Sequence, residues 1–351
     1  MAKKANSGHI LIIRLSAMGD VAMTVPVILG LKESYPDIQI TVLTKRQFKP
    51  IFDELPDVSV VVAEVNSKHK GFFGLWRLFK KLKSISITHV ADLHNVLRSK
   101  ILSFFFRING FKVSVLDKGR FEKKALTRAK NKKWVQLKMT VERYQEVFEA
   151  LGFKVTSKSP KYLLTRKLSN FVKPYFPNKD GFCIGIAPFA AHSGKMYHLD
   201  LMEEVIRQLM SNGKLQIVLF GGGAKETELL DEMSAKLGEK VQSAAGKLSF
   251  EEELALISNL DLMLAMDSGN GHLAANYGVP VITVWGVTHP FAGFVPYNQS
   301  LQNSITPDLK KYPLIPTSVY GNVYPKGYEQ AINSIAPGDI VQRINEVLNA
   351  S

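Results

Sequence analysis

Short apolar runs alternate with longer amphipathic segments along most of this chain. The runs are bounded by glycine, proline or charged residues, and the segments between them repeat apolar residues at helical spacing. We predict strands over residues 9–15, 38–44, 58–65, 89–93 and 112–116, a helix over 139–151, and further strands over 182–187, 216–220, 240–243, 260–265 and 279–285. Repeated strand-helix alternation is typical of parallel sheets covered on both faces. The pattern therefore predicts an α/β chain with two Rossmann-like, doubly wound domains.

A polar stretch with several lysines and prolines, 154–181, is the expected position of the interdomain linker. The 351 residues also exceed the size at which one core usually stops growing. We expect domains over 1–165 and 166–335, and a C-terminal helix over 336–351 that packs back on the N-terminal domain. Two such sheets would face a central cleft, because ligands of open α/β sheets bind beyond the carboxyl ends of the strands.

Charge divides the chain more clearly than hydrophobicity does. Residues 1–180 contain 34 Lys and Arg against 14 Asp and Glu, a net charge of +20, whereas residues 181–351 carry −6. This asymmetry predicts an anionic partner for the first half, such as nucleic acid, an acidic membrane surface or a phosphorylated substrate.

Three segments of the basic half, 72–83, 98–107 and 121–134, mix cations with large apolar residues. The first two have the spacing of helices whose apolar face packs on a sheet, and the third resembles a surface excursion. The same composition suits shallow insertion among anionic lipid headgroups. We therefore expect peripheral contact with the inner face of the cytoplasmic membrane as an alternative to simple packing.

The compartment is expected to be the cytoplasm. No apolar stretch approaches the roughly 20 residues that span a bilayer, and the N-terminus has no signal-peptide pattern. The single cysteine, Cys183, cannot form an internal disulfide, which fits a reducing environment.

Residues 266–275 have the composition of an anion site. They follow an apolar strand, open a small-residue helix, and include Asp267, Ser268, Gly269 and His272. The N-terminus of a helix offers unpaired N–H groups and a positive dipole, so a phosphate is the expected ligand. For any single residue here, ordinary capping followed by a tight turn is an equally good interpretation.

The first strand-to-helix turn, 15–26, places a carboxylate at the expected edge of the sheet. It lacks the G-x-G-x-x-G dinucleotide fingerprint and contains Asp20 instead. Asp20 could accept a proton from a substrate hydroxyl, although spacing alone favours a helix cap.

Two loops of the second half also follow strands. Lys195 could meet phosphate as a point charge, but a solvated lysine is the better interpretation when it is taken alone. The triple glycine at 221–223, followed by Glu226, permits close approach of a ligand and is a weak signal.

Together these segments resemble the heptosyltransferases of lipopolysaccharide core synthesis, which are family-nine glycosyltransferases with the GT-B fold. The resemblance rests on matching motifs in both halves: Ser16-Ala17-Met18-Gly19-Asp20, Glu142-Arg143-Tyr144, Lys195 in a Lys-x-aromatic loop, Asp267-Ser268-Gly269 with His272, and Trp285-Gly286-Val287-Thr288-His289-Pro290. The acid-hydroxyl-glycine segment combined with the first-turn aspartate is the specific part. The N-terminal domain would then bind the acceptor, and the C-terminal domain would bind the nucleotide-sugar donor.

The resemblance implies a role for each matching residue. Asp20 would be the catalytic base of an inverting transfer, and Lys195 would contact the donor diphosphate. Ser268 and Gly269 would donate hydrogen bonds to the same diphosphate. Further donor contacts are expected from the following residues: Asp267, His272 and Glu226.

No metal or other cofactor is expected, because the chain has no Asp-x-Asp pair and a lysine with a helix N-terminus can supply the positive charge. The expected donor is a nucleotide sugar, ADP-heptose, and the expected acceptor is an anionic, lipid-linked saccharide. Three positions depart from the family: Tyr197 replaces a usual tryptophan, and Val287 and His289 replace proline and aspartate. Because we expect these positions on the donor side, they put the identity of the sugar in question.

Other classes of protein remain open at this stage. A nucleotide-sugar epimerase could use the same fold and diphosphate site. A nucleic-acid-binding protein would explain the basic half, although no recognised nucleic-acid module is present and we expect no nucleic-acid partner. A Rossmann dehydrogenase is disfavoured by the missing dinucleotide fingerprint.

Overall fold

The computed structural model describes residues 8–156, 159–176, 181–211 and 215–350, which fall into two compact units. The first unit contains the described residues up to Arg120 together with Lys138–Leu163, and the second contains Phe121–Leu137 and the described residues from Leu164 onwards. Residues 157–158 and 177–180 of the predicted linker lie outside the described residues. The units divide close to the expected boundary, but the segment Phe121–Leu137 belongs to the second unit, which the sequence did not indicate.

The first unit is built on five parallel strands. They are β1 (His9–Ile13), β2 (Gln39–Thr44), β3 (Val58–Val62), β4 (His89–Asp92) and β5 (Lys112–Val115), in the order β3-β2-β1-β4-β5. Its helices are α1 (Met18–Ala22), α2 (Val25–Ser34), α3 (Gly71–Lys83), α4 (Leu97–Ile108) and α6 (Thr140–Ala150), while α5 (Arg120–Thr127) begins where the chain passes to the second unit.

The second unit repeats this plan with six parallel strands. They are β6 (Phe182–Ala187), β7 (Leu215–Leu219), β8 (Val241–Ser243), β9 (Leu262–Met266), β10 (Val281–Val284) and β11 (Ser304–Ile305), in the order β11-β10-β9-β6-β7-β8. Its helices are α7 (Leu199–Met210), α8 (Ala224–Leu237), α9 (Phe250–Ile257), α10 (Gly269–Asn276) and α11 (Pro337–Asn349). The ten predicted strands are all present with bounds that differ from the prediction by at most three residues, and the edge strand β11 was too short to predict.

The strands are apolar without alternation because helices cover both faces of each sheet. In β1, Ile10, Leu11, Ile12 and Ile13 are all fully buried. Burial of each such side chain contributes about 1.5–3 kcal/mol. Among the described residues, no helix combines the length and apolar character needed to cross a bilayer.

The C-terminal helix α11 packs in the core of the second unit, and the expected contact with the N-terminal domain stays a prediction. Its residues Ile340, Ile344 and Leu348 recur every fourth position and are buried in the same cluster as Val205 and Leu209 of α7. The apolar face of α7 therefore provides the surface that this stripe needs.

Both sheets reverse their strand order beside their first strand. β1 lies between β2 and β4, and β6 lies between β7 and β9. The crevice beyond the carboxyl ends at such a reversal is the usual ligand position in open α/β sheets. The loops that follow β1 and β4, and those that follow β6 and β9, are therefore the candidate positions within each unit.

Candidate functional site

The candidate site in the first unit centres on Asp20, the third residue of α1. Its carboxylate forms an ion pair with the guanidinium of Arg14, which follows β1. The Arg14 side chain is 5% exposed and donates to the carbonyl oxygen of Leu93, after β4, at 2.5 Å. Because the Asp20 side chain is 27% exposed, the carboxylate is the accessible member of the pair.

Helix capping explains one of the two contacts of the Asp20 carboxylate. The N-cap of α1 is Ala17, and its backbone N–H lies 3.4 Å from Oδ2 of Asp20, a long contact for a hydrogen bond. The ion pair with Arg14 is the stronger constraint on the carboxylate. Asp20 therefore contacts the start of α1 as a cap does and also forms the ion pair with Arg14, and its role as a base stays a prediction.

Helix α6 braces this turn through the motif that contributed to the resemblance. The buried Tyr144 hydroxyl donates to the backbone carbonyl of Asp20 at 3.1 Å, and the Arg14 guanidinium lies 5.9 Å from the Tyr144 ring centroid. Burial raises the pKa of Tyr144, so its hydroxyl stays a donor. Gly119, with φ +60°, leaves the space that the Arg143 guanidinium fills. The motif therefore positions the backbone of Asp20 and the side chain of Arg14.

A neutral imidazole and further cations surround the same turn. Burial, with smaller contributions from Arg14 and Lys118, lowers the pKa of His94 to about 3. Its Nε2 lies 3.4 Å from the Ser16 hydroxyl. The pKa of Lys118 is also lowered, by burial and by Arg14. At neutral pH, His94 therefore adds no charge to this position.

The candidate site in the second unit is a pair of Lys195, after β6, and Asp267, after β9. Nζ of Lys195 donates to the Asp267 carbonyl oxygen at 2.6 Å and lies 3.3 Å from Oδ2 of its carboxylate. The Thr288 hydroxyl donates to Oδ2 at 3.0 Å. Three loops that follow neighbouring strands thus converge on one carboxylate, which fixes the position of the ammonium.

A glycine from a distant loop completes the position of Lys195. Gly321 has φ +79°, and a Cβ there would overlap the Lys195 side chain. Behind the loop, the Val287 N–H donates to the carbonyl oxygen of Gly194 at 2.8 Å, and Gly286 leaves room for that approach. Sequence reasoning missed Gly321 and included Thr288 only as part of a motif, because only the fold brings these two residues to Lys195.

The start of α10 adjoins this pair as predicted. Ser268 is the N-cap in extended conformation, its side chain makes no capping hydrogen bond, and Gly269 begins the helix. The first N–H groups of α10 therefore point from a terminus that carries positive partial charge. His272 is buried on the same helix, and a direct contact of its ring with a donor stays a prediction.

The Glu226 carboxylate accepts a hydrogen bond from the glycine loop that follows β7. Its Oε2 accepts a hydrogen bond from the Gly222 N–H at 2.8 Å, and Gly223 adopts φ +81° at the start of α8. Since β7 is the neighbour of β6, this loop lies at the same edge of the sheet. A role for Glu226 in nucleoside binding stays a prediction.

Two of the three departures from the family pattern are core positions. Tyr197 is buried, its hydroxyl donates to the Ile335 carbonyl oxygen at 2.7 Å, and burial raises its pKa to about 12. Val287 is buried beside Gly194. Both side chains therefore pack in the interior of the second unit, and their effect on the choice of sugar stays a prediction.

The third departure, His289, lies in an aromatic cluster next to Thr288. Its Nδ1 accepts the Phe291 N–H at 3.2 Å, and its ring centroid lies 4.8 Å from that of Trp134. Burial and the nearby Lys132 lower the His289 pKa to about 4, so the ring is neutral.

The segment that carries Trp134 and Lys132 is anchored to the second unit. Nζ of Lys132 donates to the carbonyl oxygens of Leu314 at 2.6 Å and Pro316 at 2.9 Å, and burial lowers its pKa to about 8. The third aromatic-cationic segment, 121–134, was expected to be a surface excursion. Two of its large side chains make specific contacts instead.

Comparison with known protein sequences gives a family match. The sequence profile of glycosyltransferase family 9 (heptosyltransferase) matches residues 75–317. The lipopolysaccharide core heptosyltransferase OpsX of Haemophilus influenzae is 24% identical over 306 residues, which cover 84% of this chain and 83% of OpsX.

Solved structures show the same fold. A family 9 glycosyl transferase from Veillonella parvula superposes with a TM-score of 0.75 at 20% identity and covers 98% of both chains. E. coli heptosyltransferase WaaC with ADP gives a TM-score of 0.70 at 19% identity over 97% of this chain and 99% of its own. The predicted α/β architecture of GT-B type is confirmed.

The family match also decides among the functional classes that the sequence left open. It covers more than half of the chain, including both strand-end loops of the Lys195–Asp267 pair. The chain is therefore a glycosyltransferase, and it belongs to glycosyltransferase family 9, the heptosyltransferase family.

Proposed function

We propose that this enzyme transfers a heptose from ADP-heptose to the lipopolysaccharide core or a related lipid-linked acceptor, with inversion at the anomeric carbon and without a metal ion. The observation that carries the proposal is the Lys195–Asp267 pair beside the open N-terminus of α10. The names of the relatives support the sugar and the acceptor, and the ADP bound to WaaC supports the nucleotide.

In the proposed reaction, Asp20 removes the proton from an acceptor hydroxyl. The hydroxyl oxygen attacks the anomeric carbon, and the bond from that carbon to the diphosphate oxygen breaks, so the electron pair leaves with ADP. A single displacement of this kind inverts the configuration. The exposure of the Asp20 carboxylate and its fixed orientation by Arg14 support this role, since a general base must reach the proton it takes.

Lys195 and the first N–H groups of α10 stabilise the negative charge that develops on the departing diphosphate. Such preorganised donors act most strongly where charge grows in the transition state. Asp267 positions the lysine, and Ser268 and Gly269 donate from the helix start. His272 and Glu226 are proposed to bind other parts of the donor.

The positive charge of Lys195 and the dipole of α10 take the place of a divalent cation in this proposal. We expect full activity after exhaustive treatment with a chelator. A strict requirement for added magnesium or manganese would overturn metal independence while leaving the reaction class intact.

Calorimetric titration with ADP, UDP and GDP tests the nucleotide directly. We expect ADP to bind most tightly, and Lys195→Ala to weaken that binding while Lys310→Ala, an exposed lysine of the same unit, does not. Tighter binding of UDP or GDP would overturn ADP-heptose as donor.

Transfer from ADP-heptose to a deacylated core oligosaccharide tests the reaction. We expect a product whose anomeric configuration, read by NMR coupling constants, is opposite to that of the donor. Retention of configuration would contradict the single displacement, and isomerisation of the donor without transfer would indicate an epimerase.

A further inference from the structure

The first unit has an exposed apolar surface on the outer side of α3 and α4. Its members, which we name the α3–α4 face, are large side chains that are more than half exposed: Phe72, Phe73, Leu97, Phe104 and Ile108. Soluble proteins rarely cluster such residues on the surface without a binding partner. Both helices also have a separate buried side, so the fold itself does not require these five residues.

On α4 the exposed apolar residues form one stripe, which consists of Leu97, Phe104 and Ile108. They follow each other at spacings of seven and four, which places them along one line of an α-helix. Ile101 lies on the same line but is half-buried and packs against the core. The buried residues Leu102 and Phe106 lie on the opposite side. Helix α4 therefore packs one apolar side in the core and leaves Leu97, Phe104 and Ile108 exposed on the other.

A row of aromatic rings connects the stripe to α3. The ring centroids of Phe73 and Phe72 are 5.9 Å apart, those of Phe72 and Phe105 are 5.3 Å apart, and those of Phe105 and Phe104 are 6.2 Å apart. Phe105 is buried, while the other three are exposed. The exposed residues of the two helices thus form one continuous surface.

The exposed charged residues of the segment that contains α3 and α4 are all cationic. Between residues 66 and 110 the chain contains nine Lys and Arg residues, all exposed, and one acidic residue, Asp92, which is fully buried. The nine are Lys68, Lys70, Arg77, Lys80, Lys81, Lys83, Arg98, Lys100 and Arg107. Only Lys68 has a carboxylate partner among the described residues, Glu64 at 3.5 Å. The partner must therefore be apolar and strongly anionic at once.

We propose that the α3–α4 face binds the surface of an anionic lipid bilayer, with Phe73 and the α4 stripe among the lipid chains and the surrounding cations at the headgroups. Apolar side chains between lysines match the layered chemistry of such a surface. The segment 121–134 is excluded, because Trp134 and Lys132 contact the second unit.

This inference depends on the proposed function in one respect only: binding to a bilayer would bring the enzyme to a lipid-linked acceptor. The test uses vesicles that contain neither donor nor acceptor. Failure of vesicle binding would leave the transferase proposal untouched, and failure of transfer would leave the surface untouched.

Co-sedimentation with vesicles of phosphatidylcholine and increasing phosphatidylglycerol measures the binding. We expect binding to rise with the anionic fraction and to fall with added salt. The double substitution Phe73→Ser with Phe104→Ser should lower the partition coefficient about tenfold or more. Phe171→Ser, which removes an exposed phenylalanine of the second unit, should have no effect.

The cations are tested separately with Lys100→Gln and Arg107→Gln. We expect about a fivefold loss of vesicle binding for each charge removed. The matched control is Lys310→Gln. Equal binding of the unsubstituted protein to pure phosphatidylcholine, or no loss in the Phe73/Phe104 variant, would overturn the proposal.

A site-specific probe reports insertion itself. Cys183 is the single cysteine and is buried, so a cysteine introduced by Ile108→Cys can be labelled selectively with an environment-sensitive fluorophore. Its emission should shift to the blue with anionic vesicles, whereas a label at Phe171→Cys should not respond. Sedimentation equilibrium without lipid tests the alternative that a second copy of the protein covers this face. A dimer that dissociates when Phe73→Ser and Phe104→Ser are introduced together would overturn the proposal of lipid binding in favour of dimerisation.

Discussion

The two candidate positions contain the same pair of charges with different exposure. In the first unit the cation, Arg14, is buried and the carboxylate of Asp20 is the accessible partner. In the second unit the Lys195 and Asp267 side chains are almost equally buried, with 13% and 10% of their surface exposed, and both lie beside a helix N-terminus. One sheet topology therefore presents a proton acceptor in one unit and an anion site in the other.

The two pairs also differ in how they are assembled. Arg14 directly follows β1 and Asp20 lies in the next helix, α1, and the Tyr144 hydroxyl donates to the Asp20 backbone. The lysine of the second unit depends on separate loops that contribute Asp267, Thr288 and Gly321. Substitutions should therefore affect turnover in the first unit and donor affinity in the second.

Asp20→Asn should have the largest effect and act on turnover alone. Loss of the proton acceptor should lower kcat by about 10²- to 10⁴-fold, with ADP affinity unchanged. Steady-state kinetics with calorimetry measures both, and Asp37→Asn, at an exposed position of the same unit, is the control. Near-normal kcat would mean that Asp20 is structural.

Lys195→Ala should weaken ADP binding by about 10- to 100-fold, because a charge-assisted hydrogen bond is lost. The turnover number should fall as well, since the same ammonium meets the leaving group. If the substitution lowers kcat without changing the calorimetric affinity for ADP, the proposed difference between a catalytic first unit and a donor-binding second unit is wrong.

Gly321→Ala should lower ADP affinity by up to about tenfold, because a Cβ at this position displaces the Lys195 side chain. The positive φ adds a stability cost of about 1–2 kcal/mol. Gly327→Ala is the matched control: it has φ +91° and open space around its Cβ. Both variants should lose stability in urea titrations, and only the first should lose ADP affinity.

Tyr144→Phe should lower kcat by a few fold, because it removes the hydrogen bond to the Asp20 carbonyl and leaves the carboxylate in place. Its unfolding free energy should fall by about 1 kcal/mol. Tyr175→Phe removes a hydroxyl that donates to the Ser243 carbonyl in the second unit, and its kcat should stay unchanged. Equal kcat values in the two variants would show that α6 does not position Asp20 for catalysis.

Lowering the pH should reduce the folding stability of both units. His94 and His289 keep pKa values of about 3 and about 4 in the folded protein, below the ordinary value of 6.5. The unfolded chain takes up these protons first, so stability should fall as pH drops below 6.5. Urea unfolding at pH 7 and pH 5 should show a smaller loss for His94→Gln than for the exposed control His198→Gln.

Much of the fold could be predicted because its signals are local. Ten parallel strands followed from apolar runs, and the first-turn aspartate and the glycine-rich start of α10 followed from short motifs. The position of α11 could not be predicted, since its stripe of Ile340, Ile344 and Leu348 fits any apolar surface until α7 is in place. The same limit applied to Tyr197, whose motif position suggested a ligand contact.

The sequence by itself determined the fold class, the family resemblance and the residue types at the strand ends. Those properties depend on periodicity and on spacings within one loop. Only the tertiary structure decided which residues support them: Arg14 against Asp20, Gly321 against Lys195, and Trp134 against His289. Each pair except the first joins distant parts of the chain. Even the Arg14 guanidinium is oriented by a distant residue, because it donates to the carbonyl oxygen of Leu93, which follows β4. Such contacts arise from packing, which no local pattern encodes.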